Sequence, residues 1–224
     1  MFERRGGYAS GVLWALLSIG AGILIPPPPA ADANAATILA YFAANHSHIV
    51  IASTISAVSA LLLIPFLVSL TTRFDDPSAA HVGRVAGAVV ITAGLLGGVL
   101  QVGLARSAAS LGANSTMLLA YTVDRAVFFV APPLAISVVL VPAFIGLRRA
   151  SSPRWISVSA GVMGVVALVG GVAGMLSTAK ATTAIGFGGF LLTILWVGST
   201  SIALWLSAGA ARAVPVKEVS AASS

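Results

Sequence analysis

The chain reads as an all-α, polytopic transmembrane helix bundle of six spans with both termini cytoplasmic, and three observations lead there. Six apolar stretches lie between residues 9 and 206, and nearly every charge falls between them. Each is about 17–23 residues long, enough for a helix rising 1.5 Å per residue to cross a ~30 Å hydrocarbon core with its backbone satisfied internally. Of the 224 residues, 58% are hydrophobic and 8% charged; soluble domains carry ~25% charge, so this chain has too few charges to cover its apolar surface in water. Finally, if the first span enters from the cytoplasm, nine of the twelve Lys and Arg residues lie on that side. Only Arg106, Arg125 and Lys180 face the other, which is the asymmetry of the positive-inside rule.

The spans fall near 9–25, 49–70, 85–105, 126–147, 155–176 and 184–206, within one transmembrane domain over 1–210. The first is read as a retained helix rather than a cleaved leader, because it is longer than a signal h-region and ends in Pro26–Pro29. Proline lacks the amide proton and restricts its neighbour, so those four residues stop the helix. Asp32 or Asn34 then caps a short helix over 35–44, whose Ile38, Leu39, Tyr41 and Phe42 are expected to lie against the membrane surface. Asp76-Pro77 reads as a cap followed by a proline at the first helical position. Asn114, Ser115 and Thr116 offer caps ahead of the fourth span, and Pro153 precedes the fifth. Trp155, Tyr121 and Trp205 suit the headgroup layer. Residues 211–224 are small and polar and form a disordered cytoplasmic tail.

Burying leucine does not draw helices together in lipid; close approach at small residues does. In the fifth span Ser157, Ala160, Gly164, Ala167, Gly171 and Gly174 recur at alternating spacings of three and four, and so form one stripe. The third span carries Gly83, Gly87, Val90, Gly94, Gly97 and Gln101. These two helices are expected at the centre, with the leucine-rich second span facing lipid. The stripes serve packing within the chain or, alternatively, a homodimer. Pro132 and Pro133 predict a kink in the fourth span, either bending it around the bundle or acting as a hinge.

The candidate ligand-binding residues gather toward the outer leaflet: Gln101, Arg106, Tyr121, Asp124 and Arg125, with Thr193 on the last span. Asp124 precedes Arg148 by 24 positions, about 36 Å of helix, which puts it at the outer interface. There it pairs with Arg106 or Arg125, or serves a proton- or substrate-coupled role. Gln101 lies deeper and needs partners, for which Thr193 and Thr200 are the candidates. His46 and His48 lack an evident third ligand, so no metal is assigned, and no cofactor is implied. The absence of cysteine excludes disulfides and thiolate chemistry. No HExxH helix, phosphate-binding glycine loop, mid-span lysine or serine–histidine pair is present, and the six acidic residues do not cluster. These absences argue against an enzyme. The net charge of +6 sits at helix ends, so it does not imply a nucleic-acid partner.

Asp32-Ala33-Asn34-Ala35-Ala36 followed by Ala40-Tyr41-Phe42-Ala43-Ala44-Asn45-His46, together with Pro153-Arg154-Trp155-Ile156, resembles segments of uncharacterised six-span membrane proteins of high-GC Gram-positive bacteria, a domain of unknown function. The resemblance covers about half of the chain. It implies a bacterial plasma-membrane setting and a six-helix layout, and it supplies no catalytic residue. The functional expectation is binding or passage of a hydrophobic or amphipathic small molecule, lipid included. The alternatives are a structural or assembly subunit of a larger membrane complex, and an oligomeric channel. Membrane lipids are the expected partners, with a homo-oligomer or a complex subunit as further possibilities.

Overall fold

The computed structural model describes residues 2–30, 32–127, 131–148, 152–176 and 180–210, and every element among them is a helix. They are α1 (Phe2–Leu24), α2 (Ala35–Ala44), α3 (His46–Ala60), α4 (Leu63–Thr71), α5 (Pro77–Leu111), α6 (Ser115–Arg125), α7 (Ala131–Leu147), α8 (Arg154–Leu176) and α9 (Lys180–Ala210). Five stretches are long and apolar enough to cross a membrane: Arg5–Leu24, His46–Thr71, Pro77–Leu111, Arg154–Leu176 and Gly188–Ala208. In the expected fourth span, α7 is 17 residues long and α6 is a separate helix. The expected tail over 211–224 lies outside the described residues.

The helix starts follow local chemistry. The Asn34 side chain accepts from the Thr37 amide at 2.9 Å and opens α2. Asp76 accepts from the Ser78 amide at 2.8 Å ahead of Pro77, and Asn114 accepts from Thr116 and Met117. Each cap satisfies amides that lack an intrahelical acceptor. Pro132 and Pro133 are the second and third residues of α7, which starts directly after residues 128–130. The connection over 128–130 lies outside the described residues, and with it part of the expected kink.

The second span departs from a straight helix. Leu61 and Leu62 donate to carbonyls three residues back, at 3.2 and 2.8 Å, and join α3 to α4 by a tight turn. Pro65, third in α4, explains the break: it cannot donate to Leu61, so the helix restarts beyond that point.

The helices form a ring. α1 packs on α9, α3 and α4; α3 and α4 pack on α5, α5 on α7, α7 on α8 and α8 on α9, which returns to α1. The expected centre is corrected by this arrangement. α4 is the buried segment, with Phe66 and Leu70 fully enclosed, whereas α5 is the least buried of the five long stretches, at 28%. Its small-residue stripe serves contact on one side only. Gly87 lies against Leu67, Gly94 against Ala60 and Gly98 against Ala57 and the Ser53 carbonyl; Gly97 is buried. On α8 the stripe packs within the chain as expected, but α8 is not central: it packs on α7 and α9 and lines no part of the interior. Ser157, Ala160, Gly164, Ala167 and Gly171 are buried, with Gly174 at its half-buried end. Gly164 meets Leu140 and Gly171 meets Leu134, so α7 covers the stripe within the chain.

One end of the ring carries a cap. The apolar face of α2 is turned into the chain rather than onto a membrane surface: Ile38 and Phe42 are buried with Leu104, Ala105 and Ala108 of α5 and Met117 and Tyr121 of α6. An amphipathic face seeks any apolar partner, and here a groove of the same chain supplies it. At the opposite end Arg73 donates to the Tyr8 hydroxyl at 3.0 Å and Arg84 to Thr71 at 3.0 Å. Trp155 and Trp205 stay exposed, as headgroup-layer rings should, but Tyr121 is buried.

A Cβ at Gly98 would stand 2.7 Å from the Ala57 methyl and 2.8 Å from the Ser53 carbonyl, so helix axes must part to admit it. Gly98→Ala should therefore cost about 1–3 kcal/mol, by analogy with overpacked cores, and lower the melting temperature in detergent. Gly103→Ala, in open space, should leave it unchanged. Equal melting curves for the two variants would contradict this packing.

Candidate functional site

The ring surrounds a partly open cavity of about 940 Å³, at the upper end of the range for small-molecule sites. α1, α3, α4, α5, α7 and α9 all contribute to its wall, whereas α8 stands behind α7 and α9. Trp14, Leu63, Phe66, Val90, Leu140 and Trp196 line its apolar part. Ser56, Ser59 and Thr193 are polar residues set within that wall. The part beneath the cap is lined by Gln101, Tyr41, Tyr121, Asp124, Arg125 and the Pro26–Pro29 segment, with Asp32 beside it.

A hydrogen-bonded chain organises the polar end. The Ser53 hydroxyl donates to Gln101 Oε1 at 2.8 Å, and Gln101 in turn hydrogen-bonds the Asp124 carboxyl. Asp124 is 3% exposed, and its Oδ1 has no hydrogen-bond partner. The prolines have carbonyls but no amides, so their acceptors depend on donors from elsewhere in the chain. Tyr41 donates to Pro26 at 2.9 Å, Tyr121 to Pro29 at 2.7 Å and Arg125 to the same carbonyl at 3.0 Å. Arg125 also donates to the Tyr121 hydroxyl at 3.2 Å. Tyr41, Phe42 and Tyr121 pack edge to face, with centroids 5.4 and 6.3 Å apart. The proline segment is thereby strapped over the polar end.

These groups belong to α2 and α6, outside the five long apolar stretches. Burial pushes the Asp124 carboxyl from the ordinary carboxylate range up to about 7, against the Gln101 hydrogen bond and the Arg125 charge, which pull it down. Burial likewise lifts the Tyr41 hydroxyl to about 12, and it raises that of Tyr121.

The structure brings together Gln101, Tyr121, Asp124 and Arg125, and it sets Thr193 in the same cavity. It does not bring in Arg106, which is exposed on α5 and makes no pair with Asp124. Gln101 takes Ser53 and Asp124 as partners instead of Thr193 or Thr200. The Thr193 hydroxyl donates to Gly189 at 2.8 Å, and that of Thr200 has no partner. Among the described residues no group of metal-ligating side chains converges, and His46 and His48 are exposed. Sequence reasoning missed Ser53, Tyr41 and the proline carbonyls as parts of the site. The run of four amide-free residues beside two tyrosines was the available signal. No family model, curated protein or solved structure matches the chain, so the geometry alone carries the functional reading.

The pH dependence follows from Asp124. An unfolded carboxyl ionises near 4, while the folded one keeps its proton to about 7. Between those values the folded state binds more protons, so stability falls as pH rises through that window. The melting temperature of the wild type, measured against Asp124→Asn, should decline from pH 4 to 7 and level off above. Parallel profiles would show that the carboxyl is not held in this state.

Proposed function

We propose that this chain is a six-span protein of a bacterial plasma membrane, with cytoplasmic termini, that binds or passes an amphipathic small molecule or lipid and has no catalytic activity of its own. The observation that carries the reading is the graded cavity: an apolar chamber among the spanning helices, continuous with a polar, hydrogen-bonded end under the cap. An amphiphile matches both parts, because its tail replaces the lipid contacts it leaves while its head gains partners. The cap end corresponds to the outer leaflet under the positive-inside rule, and α7 supplies the sixth crossing. The α8 stripe is covered by α7, which leaves the docking-subunit alternative without that face.

Orientation is testable because the chain has no cysteine. A single cysteine at the exposed Ser110 should react with an impermeant maleimide in intact cells, and one at Ser78 only after permeabilisation. The reverse pattern would invert the threading.

Occupancy is testable through tryptophan. Trp14 and Trp196 line the cavity at 6% and 4% exposure, whereas Trp155 and Trp205 face outward. With Trp155→Phe and Trp205→Phe in place, a nitroxide-labelled long-chain alcohol should quench the remaining fluorescence saturably. Filling the wall with Ser56→Phe and Ala93→Phe should weaken that binding by about tenfold or more. Quenching that never saturates, or that the filled variant shares, would sink the reading.

A further inference from the structure

We infer that the polar end of the cavity selects a cationic amine head, so that the ligand is a long-chain ammonium amphiphile with Asp124 as its counter-ion. This rests on the amphiphile reading above and goes beyond it by naming the head. Three features at that end point the same way. The first is the buried carboxyl itself. Asp124 lines the cavity at 3% exposure and leaves Oδ1 without a hydrogen-bond partner, although Gln101 reaches the same carboxyl. A buried oxygen acceptor without a donor is costly, and an N–H from a ligand removes that cost.

The second feature is the local charge. Asp32 and Asp124 line this end against the one guanidinium of Arg125, which donates to the Pro29 carbonyl and the Tyr121 hydroxyl. Asp32 is exposed, so the buried Asp124 sets the charge of the pocket: alone it keeps its proton to about 7, and an ammonium in contact draws it to the ionised form, so that the pair is neutral. A sulfate or phosphate head would instead meet the buried carboxyl of Asp124, where like charges repel strongly. The third is aromatic. Tyr41, Phe42 and Tyr121 form an edge-to-face cluster that lines the same end; the Tyr121 ring already holds the Arg125 guanidinium 5.7 Å from its centroid, and the Tyr41 ring adds a second aromatic surface of the kind that attracts alkylammonium groups within about 6 Å. The tail then extends along Phe66, Trp14 and Trp196.

The test uses the full chain with Trp155→Phe and Trp205→Phe in a neutral detergent, and three nitroxide probes of equal chain length: a primary alkylammonium, an alkyl sulfate and an alcohol. The ammonium should bind about tenfold or more tighter than the sulfate. Asp124→Asn should bring the two within about threefold of each other, whereas Asp124→Glu should keep the preference. The alcohol reports whether the chamber still takes a tail, and both variants should still bind it saturably. Saturable binding of all three probes with no preference overturns the head assignment and leaves the amphiphile reading standing. A preference that survives Asp124→Asn also overturns it, and so does alcohol binding lost in both variants, because Asp124 would then act as a structural prop. No saturable quenching by any probe overturns both readings.

Discussion

Helices in hydrocarbon gain nothing from hiding leucine, so their arrangement depends on where two backbones can come close. In this chain those places are few and specific. Gly7 admits the Pro65 carbonyl and Ser69 of α4, Gly11 admits Phe66, Gly98 admits Ser53 and Ala57, and Gly171 admits Leu134. These contacts join α1 to α4, α3 to α5 and α7 to α8, and the pairs α5–α7, α8–α9 and α9–α1 close them into a ring of seams rather than a filled bundle. A ring of this kind leaves an interior that side chains must either fill or line. The residues facing inward from α5, Val90, Ala93 and Gly94, are too small to fill it. The cavity is therefore a consequence of the seams, because helices held together at their edges do not need to meet at the centre.

The cap follows from a second constraint. The ring's interior is apolar for most of its length, but α5 runs about 52 Å, well beyond a ~30 Å core. Its protruding turns present Leu104, Ala105 and Ala108, which α2 and α6 cover. That cover pulls Asp124 and Tyr121 inward from positions where water would have served them. Burial then forces each polar group to find a partner within reach, and most do so: Gln101 joins Ser53, and both tyrosines reach proline carbonyls. Asp124 is the group that remains half satisfied, and it is also the one whose carboxyl is pushed furthest from its ordinary range toward neutral pH. Both facts have one cause, the desolvation imposed by the cap.

What was legible in the sequence divides along the same physical lines. The caps at Asn34, Asp76 and Asn114 were readable because a cap uses only a side chain and the next three amides. The α8 stripe was readable as a periodic pattern, but its partner was not, since nothing in Gly164 or Gly171 names the helix that will cover them. On α5 the pattern was followed through Gly97 to Gln101, whereas the glycine that meets a neighbouring backbone is Gly98, four residues after Gly94. Both registers fit a helix, and only the neighbour decides between them. Pro65 signalled the break in the second span, but the unbroken apolar run around it read as one helix. The short α2 shows the deeper ambiguity. Ile38 and Phe42 make an apolar face that would sit equally well on a bilayer or in a protein groove.

The site was legible as a list of residues and not as a set of partners. Gln101, Tyr121, Asp124 and Arg125 stand out because polar groups near apolar spans are costly and therefore few. Which of them meet depends on ring order, and that order brought Ser53 to Gln101 while leaving Arg106 in the open. Had Arg106 turned inward, the carboxyl would have been neutralised within the chain and the polar end would hold no unmet acceptor. The helical register excludes this: Ala105 and Ala108 of α5 face the cap, so Arg106 must point away from it. One step of helical phase thus separates a closed ion pair from a carboxyl that still has bonding capacity toward whatever occupies the chamber.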